Sequence, residues 1–161
     1  MIRQGIDTVE ISRIEKLLED LDHEGLLRFY TGAELADAGE GPGRARKLAA
    51  RFAAKEACCK LFPKEICLGT IEPVDFSVVK NGYVKPRIEP SAKGRALMDL
   101  YRIKHIELTM PHPPSSPTAL ASAHMHPIRA PAYRKVSDPF PSLPRKPITE
   151  NPYPPFRETP P

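Results

Sequence analysis

Two carboxylates, Asp7 and Glu56, are the residues of this sequence best placed to do chemistry. Asp7 follows the first predicted strand, and Glu56 lies in the longest predicted helix, four residues from both Phe52 and Lys60. That spacing puts Glu56 on or beside the stripe that faces the core, where a charge is costly unless it is paired or bound to a metal. Glu56 could form a structural ion pair with Lys60, or it could share a Mg²⁺ ion with Asp7.

A basic stretch surrounds Glu56 in a region whose charge is otherwise balanced. Residues 1–126 carry 18 basic and 17 acidic side chains, whereas residues 41–64 carry seven basic residues and one acid. A local cationic region favours a compact anion such as phosphate over a long nucleic acid, although a solvated helix face would look the same. The seven basic residues are Arg44, Arg46, Lys47, Arg51, Lys55, Lys60 and Lys64.

Capping signals and hydrophobic spacing predict helices first and then mostly strands. Two capping-box patterns, Ser12 to Glu15 and Thr31 to Glu34, would open the first two helices. Asn81-Gly82 is a strong hairpin signal, because both residue types tolerate positive φ. The fold class is therefore α+β, with a small antiparallel sheet packed against a long helix and shorter helices. The predicted elements are a strand at 2–6, helices at 12–21, 31–39, 44–61 and 91–102, and strands at 71–79, 83–88, 105–110 and 118–125.

Proline divides the chain into two parts. Five of the 20 prolines lie in residues 1–110 and fifteen in residues 111–161. Dense proline removes the backbone N–H donors that helices and sheets need. We therefore expect one domain over 1–126 and a Pro-rich tail over 127–161, either disordered or wrapped on the surface. Because Pro141-Ser-Leu-Pro-Arg-Lys146 resembles a polyproline ligand, the tail could also recruit a partner protein.

Cysteine usage and hydropathy indicate the cellular compartment in which the protein works. Of the three cysteines, Cys58 and Cys59 are adjacent in a predicted helix, so their side chains point about 100° apart. We therefore expect no disulfide framework, which fits a reducing cytoplasm. No run of 18 apolar residues predicts a membrane span. The first residues lack the pattern of a signal peptide.

Several segments resemble the 4′-phosphopantetheinyl transferases of the holo-acyl-carrier-protein synthase type. The Gly-x-Asp element at Asp7 and the Phe-x-x-Lys-Glu element at Glu56 lie about 45 residues apart, and together they are specific. Asn81-Gly82 with Lys85-Pro86 resembles the family's hairpin turn, and the match runs in order from residue 2 to about 125. The other matching segments are Gly5-Ile-Asp7 with Glu10-Ile-Ser-Arg13-Ile, Phe29-Tyr-Thr31-Gly-Ala-Glu34, and Leu48-Ala-Ala-Arg-Phe52-Ala-Ala-Lys55-Glu56-Ala.

This resemblance implies a reaction and its partners. Coenzyme A would give its phosphopantetheine arm to a serine of an acyl carrier protein, in a Mg²⁺-dependent step that releases adenosine 3′,5′-bisphosphate. The carrier protein could serve fatty-acid or polyketide synthesis. The family also implies a cytoplasmic homotrimer whose active sites lie between subunits, with no role for nucleic acid or membrane.

The resemblance also implies roles for particular residues. Asp7 and Glu56 would ligate Mg²⁺ and act in catalysis with Lys60, and either Glu56 or a metal-bound hydroxide could accept the serine proton. Arg13, at the start of the first helix, would contact the acidic carrier protein. The residues that would bind coenzyme A are Arg44, Arg46, Arg51, Lys55, Gly82, Lys85, Pro86 and His112.

Two departures from the family pattern leave room for a non-catalytic member. Leu61-Phe62-Pro63 stands where the family usually has a glycine, and Thr109-Met-Pro111-His112 replaces a Ser-x-Ser-His pattern. Pro111 lacks a backbone N–H, so it removes one possible hydrogen-bond donor to coenzyme A there. A degenerate protein that binds coenzyme A or a carrier protein without transfer is the alternative. The other histidines, His23, His105, His124 and His126, show no spacing typical of metal ligands.

Overall fold

The computed structural model describes residues 3–80, 85–111 and 118–127. The Asn81-Gly82 turn, His112 and the predicted tail beyond Pro127 lie outside these residues. Within the described ranges the elements are β1 (Gln4–Glu10), α1 (Ile11–Asp20), α2 (His23–Leu26), α3 (Gly32–Ala38), α4 (Arg44–Cys59), α5 (Lys64–Gly69), a 3₁₀ turn (Pro73–Asp75), β2 (Phe76–Val79), β3 (Arg87–Pro90), α6 (Ala92–Leu100), β4 (Ile103–Thr109) and β5 (Thr118–Pro127).

The described strands form two antiparallel ladders. The larger sheet has the order β1-β5-β4, and β2 pairs with β3 in a separate ladder. In the larger sheet Asp7 lies opposite Ala121, and Ile106 lies opposite Met125. Helix α4 packs across β1 and β5. The predicted α+β class, with a small antiparallel sheet on a long helix, is confirmed.

Helix α4 lies at the centre of the core. Its alanines let neighbouring elements approach closely from several sides, and 11 of its 16 residues are buried. Around it pack large apolar side chains, of which Tyr30, Phe76 and Ile14 are among the most buried. No helix in the described part of the chain is long and apolar enough to cross a bilayer.

The predicted helix starts are right in one case and wrong in another. The Thr31 side chain accepts from the Glu34 N–H and the Glu34 carboxylate accepts from the Thr31 N–H, so this capping box is formed. The capping box predicted at Ser12 is wrong, because β1 continues to Glu10 and α1 begins at once at Ile11. The strand predicted over 71–79 is shorter, because Pro73 opens a 3₁₀ turn before Phe76.

A disulfide between Cys59 and Cys67 contradicts the prediction that the cysteines stay unpaired. Helix α5, which is too short to be recognised from its sequence, carries Cys67 back to the end of α4. Cys58, one residue earlier in α4, is a buried free thiol whose pKa is raised by burial. The cysteine argument for a reducing compartment is therefore lost.

Candidate functional site

Strand β1 crosses helix α4 at a glycine. A Cβ atom added to Gly5 would lie 1.9 Å from the carbonyl oxygen of Ala57 and 3.1 Å from Cβ of Lys60. Only glycine allows this approach, so the strand rests directly on the helix backbone. Asp7 lies two residues beyond Gly5, and Glu56 directly precedes Ala57. We call this crossing the β1–α4 junction.

An ion pair joins the two elements at the β1–α4 junction. The Lys60 ammonium donates to Asp7 Oδ1 at 2.6 Å and to the carbonyl oxygen of Ile6 at 2.8 Å. The Lys60 side chain is 49% exposed and the Asp7 side chain 20% exposed, so a ligand in solvent can reach the pair. Lys60 and Asp7, which were predicted to act in one site, are therefore in contact although they lie 53 positions apart in the sequence.

Glu56 occupies the edge of the buried surface of α4. It is half-buried, whereas its neighbours Lys55 and Ala57 are buried. This placement agrees with the prediction that Glu56 lies beside the core stripe and not opposite it. Asp7 lies on β1 and Glu56 on α4, and such packed, regular elements fix the positions of side chains better than loops would.

Lys55 lies in the core of the protein. Its ammonium donates to Glu34 Oε2 at 2.6 Å and to the Phe29 carbonyl oxygen at 2.6 Å. Burial lowers the pKa of Lys55, and the Glu34 carboxylate opposes that effect. Glu34 Oε1 also accepts from the Val78 N–H at 2.8 Å. Lys55 therefore ties α4 to α3 and β2, and the sequence identified Glu34 only as a helix cap.

Arg51 also points into the protein. Only 6% of its side chain is exposed. Its guanidinium pairs with the Asp37 carboxylate and donates to the Lys47 carbonyl oxygen at 3.0 Å. Arg51 and Lys55 thus both bond within the protein, and their predicted role in binding coenzyme A stays a prediction.

The remaining candidate coenzyme A ligands are more open. Arg44 and Arg46 form the first turn of the long helix, as its predicted start at residue 44 implies, and both are half-buried. Arg44 pairs with Glu40 there. Lys85 is exposed just before β3, next to the half-buried Pro86. The other two predicted ligands, Gly82 and His112, lie outside the described residues.

Arg13 stands on the exposed side of α1. Its guanidinium carbon lies 5.8 Å from the centre of the Phe52 ring, which is within the range of a cation–π contact. Thr8, Glu10 and Thr118 line a shallow depression together with Arg13. The side chain is therefore oriented by an aromatic ring at a surface that a protein partner could cover.

Comparison with known proteins identifies the family of this chain. Residues 3–110 match the sequence model of the 4′-phosphopantetheinyl transferase superfamily. The chain is 34% identical over 114 residues to holo-[acyl-carrier-protein] synthase of Treponema pallidum, covering 70% of this chain and 86% of that protein.

Solved structures of similar proteins agree with this match. Helicobacter pylori holo-[acyl-carrier-protein] synthase in complex with coenzyme A superposes with a TM-score of 0.61 at 26% identity, covering 77% of this chain and 100% of the other. The Neisseria meningitidis synthase, at 22% identity, has a TM-score of 0.63 over 76% of this chain and 96% of its own, and it supports the fold. The chain therefore belongs to the 4′-phosphopantetheinyl transferase superfamily and is of the holo-[acyl-carrier-protein] synthase type.

Proposed function

We propose that this protein transfers the 4′-phosphopantetheine group of coenzyme A to a serine hydroxyl of an acyl carrier protein, with Mg²⁺ as cofactor and adenosine 3′,5′-bisphosphate as the second product. The observation that carries the proposal is the contact of Lys60 with Asp7 at the junction that also holds Glu56. A family match over residues 3–110 supports it independently.

Mg²⁺ suits the donors of the β1–α4 junction. The ion prefers hard oxygen ligands and is usually held by one or two carboxylates together with substrate phosphates. Asp7 and Glu56 would supply these carboxylates, and Asp7 already holds one cation, the Lys60 ammonium at 2.6 Å. When bound, Mg²⁺ neutralises negative charge on the pyrophosphate.

The protein's own side chains would do the positioning. Phosphoryl-type transfer needs little covalent chemistry from the enzyme, so placing the groups and neutralising their charge supply most of the rate. Lys60 is near enough to the junction to contact a phosphate oxygen once it leaves Asp7. Arg44, Arg46 and Lys85 would bind the phosphates of the nucleotide part, and Glu56 is one of two candidate acceptors for the serine proton.

Arg13 is the proposed contact for the carrier protein. An exposed arginine held against Phe52 can pair with carboxylates across an interface at low entropic cost. Such pairs mainly raise the rate of association, so its loss should weaken the use of carrier protein and leave the use of coenzyme A unchanged.

We also predict how the protein assembles and where it is located. A homotrimer is the expected form, and the outer face of the larger sheet offers exposed apolar side chains for it, with Ile6 51% and Leu120 36% exposed. Light scattering coupled to gel filtration measures the assembly. A cytoplasmic location is expected because coenzyme A and the carrier protein are its proposed substrates.

Incubation with apo acyl carrier protein, coenzyme A and Mg²⁺ tests the proposal directly. Intact-mass spectrometry should show a phosphopantetheine adduct on the carrier protein. Absence of the adduct with every divalent metal tried would favour the non-catalytic family member.

Deletion of residues 127–161 tests the role of the tail and should leave transfer intact. If the shortened protein keeps its activity but no longer binds a partner protein, the tail has an interaction role of its own.

A further inference from the structure

Four ionisable side chains gather on the outer face of the larger sheet, away from the β1–α4 junction. Strand β4 carries His105 and Glu107, and strand β5 carries His124 and His126. Alternation along each strand turns these residues to the same face. The register places His105 opposite His126 and Glu107 opposite His124. Residue spacing alone could not predict this grouping, because the two residues on one strand meet the two on the other only through strand pairing.

Three of these side chains already lie at near-ligand distances. One possible ligand atom from each of His105, Glu107 and His126 lies within 4.8 Å of the other two. The two imidazole rings stack with centres 4.0 Å apart and planes inclined by 9°. We call these three residues the histidine cluster.

The contact between His126 and Glu107 supports a shared ligand. Nε2 of His126 lies 3.1 Å from Oε2 of Glu107. This nitrogen is shielded from solvent and has no well-aligned hydrogen bond within the described residues.

We propose that His105, Glu107 and His126 form a binding site for a zinc-type transition-metal ion, with His124 or water as the fourth ligand. Two imidazoles and one carboxylate are a donor set that Zn²⁺ accepts, and imidazole favours such ions over Mg²⁺. Ligand atoms around a tetrahedral Zn²⁺ lie about 3.4 Å apart. Because the two ring planes are nearly parallel, one imidazole must turn out of the stack for both lone pairs to meet at the ion, and the exposed His105 is the ring that can do so.

The bound ion would cross-link β4 to β5. Because β5 also pairs with β1, which carries Asp7, the cross-link would stabilise the sheet behind the β1–α4 junction. Any ion that binds the folded state alone raises the melting temperature. The site is independent of the proposed transfer reaction, and it needs no activity measurement to be detected.

Zn²⁺ titration of the full chain, followed by calorimetry, tests the proposal. The protein is kept in the assembly it forms in solution, and excess Mg²⁺ is present to fill carboxylate sites. We expect one Zn²⁺ per chain and a rise in melting temperature. Co²⁺ in place of Zn²⁺ should give the visible absorption of a tetrahedral site. Absence of Zn²⁺ binding would overturn the proposal.

Matched variants locate the ion. His126→Phe keeps an aromatic ring against His105 but removes the ligand nitrogen, so we expect a loss of Zn²⁺ affinity of about tenfold or more. The same substitution at the exposed His23 on α2 should change nothing. The Glu56→Gln variant should also keep Zn²⁺ binding. A loss of Zn²⁺ binding in that variant would instead place the ion at the β1–α4 junction.

A second ligand variant protects the test against misfolding. If His126→Phe does not fold, as judged by circular dichroism, Glu107→Gln keeps the size and polarity of an exposed side chain and should lower Zn²⁺ affinity in the same way. Wild-type affinity in a folded His126→Phe or Glu107→Gln variant would contradict the proposed site.

Discussion

The ammonium of Lys60, the residue that caps the C-terminus of α4, lies 2.6 Å from the carboxylate of Asp7, on β1. This contact joins two elements whose residues are 53 positions apart, and it depends on the glycine that lets the strand touch the helix. The pair is accessible to solvent, so its contribution to stability is small and its chemistry is available to a ligand.

Replacement of Lys60 should separate catalysis from stability. We expect Lys60→Ala to lower the rate of phosphopantetheine transfer about 100-fold or more, because a positive charge near the reacting phosphate is lost. The free energy of unfolding should change by less than about 1 kcal/mol, as for other exposed pairs. Lys16, which pairs with Asp20 at the surface of α1, is the matched control. Equal activity of Lys60→Ala and Lys16→Ala would remove Lys60 from the site.

Gly5 is expected to be intolerant of even one added carbon. The Cβ of Gly5→Ala would overlap the Ala57 carbonyl oxygen, so β1 must shift from α4. We expect a loss of about 3 kcal/mol in the free energy of unfolding, with a loss of transfer activity. Gly32→Ala has nothing within 4 Å of the new carbon and should be neutral or slightly stabilising. Chemical denaturation of the two variants makes the comparison, and equal stabilities would contradict the close approach.

Lys55 should behave as a core residue. Lys55→Met leaves the Glu34 carboxylate buried without its cation, which typically costs about 3–5 kcal/mol. At a temperature where the variant is folded, its KM for coenzyme A should equal that of the wild type. A stable variant with a raised KM would instead restore the ligand role that the sequence predicted.

Tyr30 should make stability fall at alkaline pH. Burial, followed by the nearby Glu34 charge, raises the pKa of Tyr30 above its ordinary value of 10.0. Below that pH both folded and unfolded chains hold the proton, and stability is fully present. Above it the unfolded chain loses the proton first, so the free energy of unfolding declines.

Tyr30→Phe removes this titration. The decline above about pH 10 should become shallower in the variant. At neutral pH the variant should lose about 1 kcal/mol, because Tyr30 donates to the Leu48 carbonyl oxygen at 3.2 Å. Urea unfolding at pH 7 and at several alkaline pH values measures both effects, and an unchanged alkaline slope would contradict the assignment.

Local signals in the sequence predicted much of the fold. The Thr31–Glu34 capping box and the alternation in β4 and β5 depend on residues close in the chain, and the structure has them. The short helices α2 and α5 were missed because four to six residues give no measurable period. With α5 the sequence also missed the partner of Cys59.

The candidate site could be predicted only in part, because the role of a charged side chain depends on the residues that it contacts in the folded protein. Helix α4 is buried on most sides, so its periodicity could not show that Lys55 and Arg51 are buried while Glu56 is only half-buried. The inward partner of Lys55, Glu34, lies 21 residues away and showed only a capping signal. The histidine cluster was missed for the same reason, since strand register is not a local property.

Divalent-ion binding at the junction tests the central claim most directly. Mn²⁺ suits carboxylate sites as Mg²⁺ does, and the signal of the free ion in electron paramagnetic resonance measures its affinity with coenzyme A present. If Asp7 and Glu56 share one ion, Asp7→Asn and Glu56→Gln should each weaken Mn²⁺ binding about tenfold or more, and the double variant should lose less than their sum. Wild-type Mn²⁺ affinity in either folded single variant would contradict the shared site.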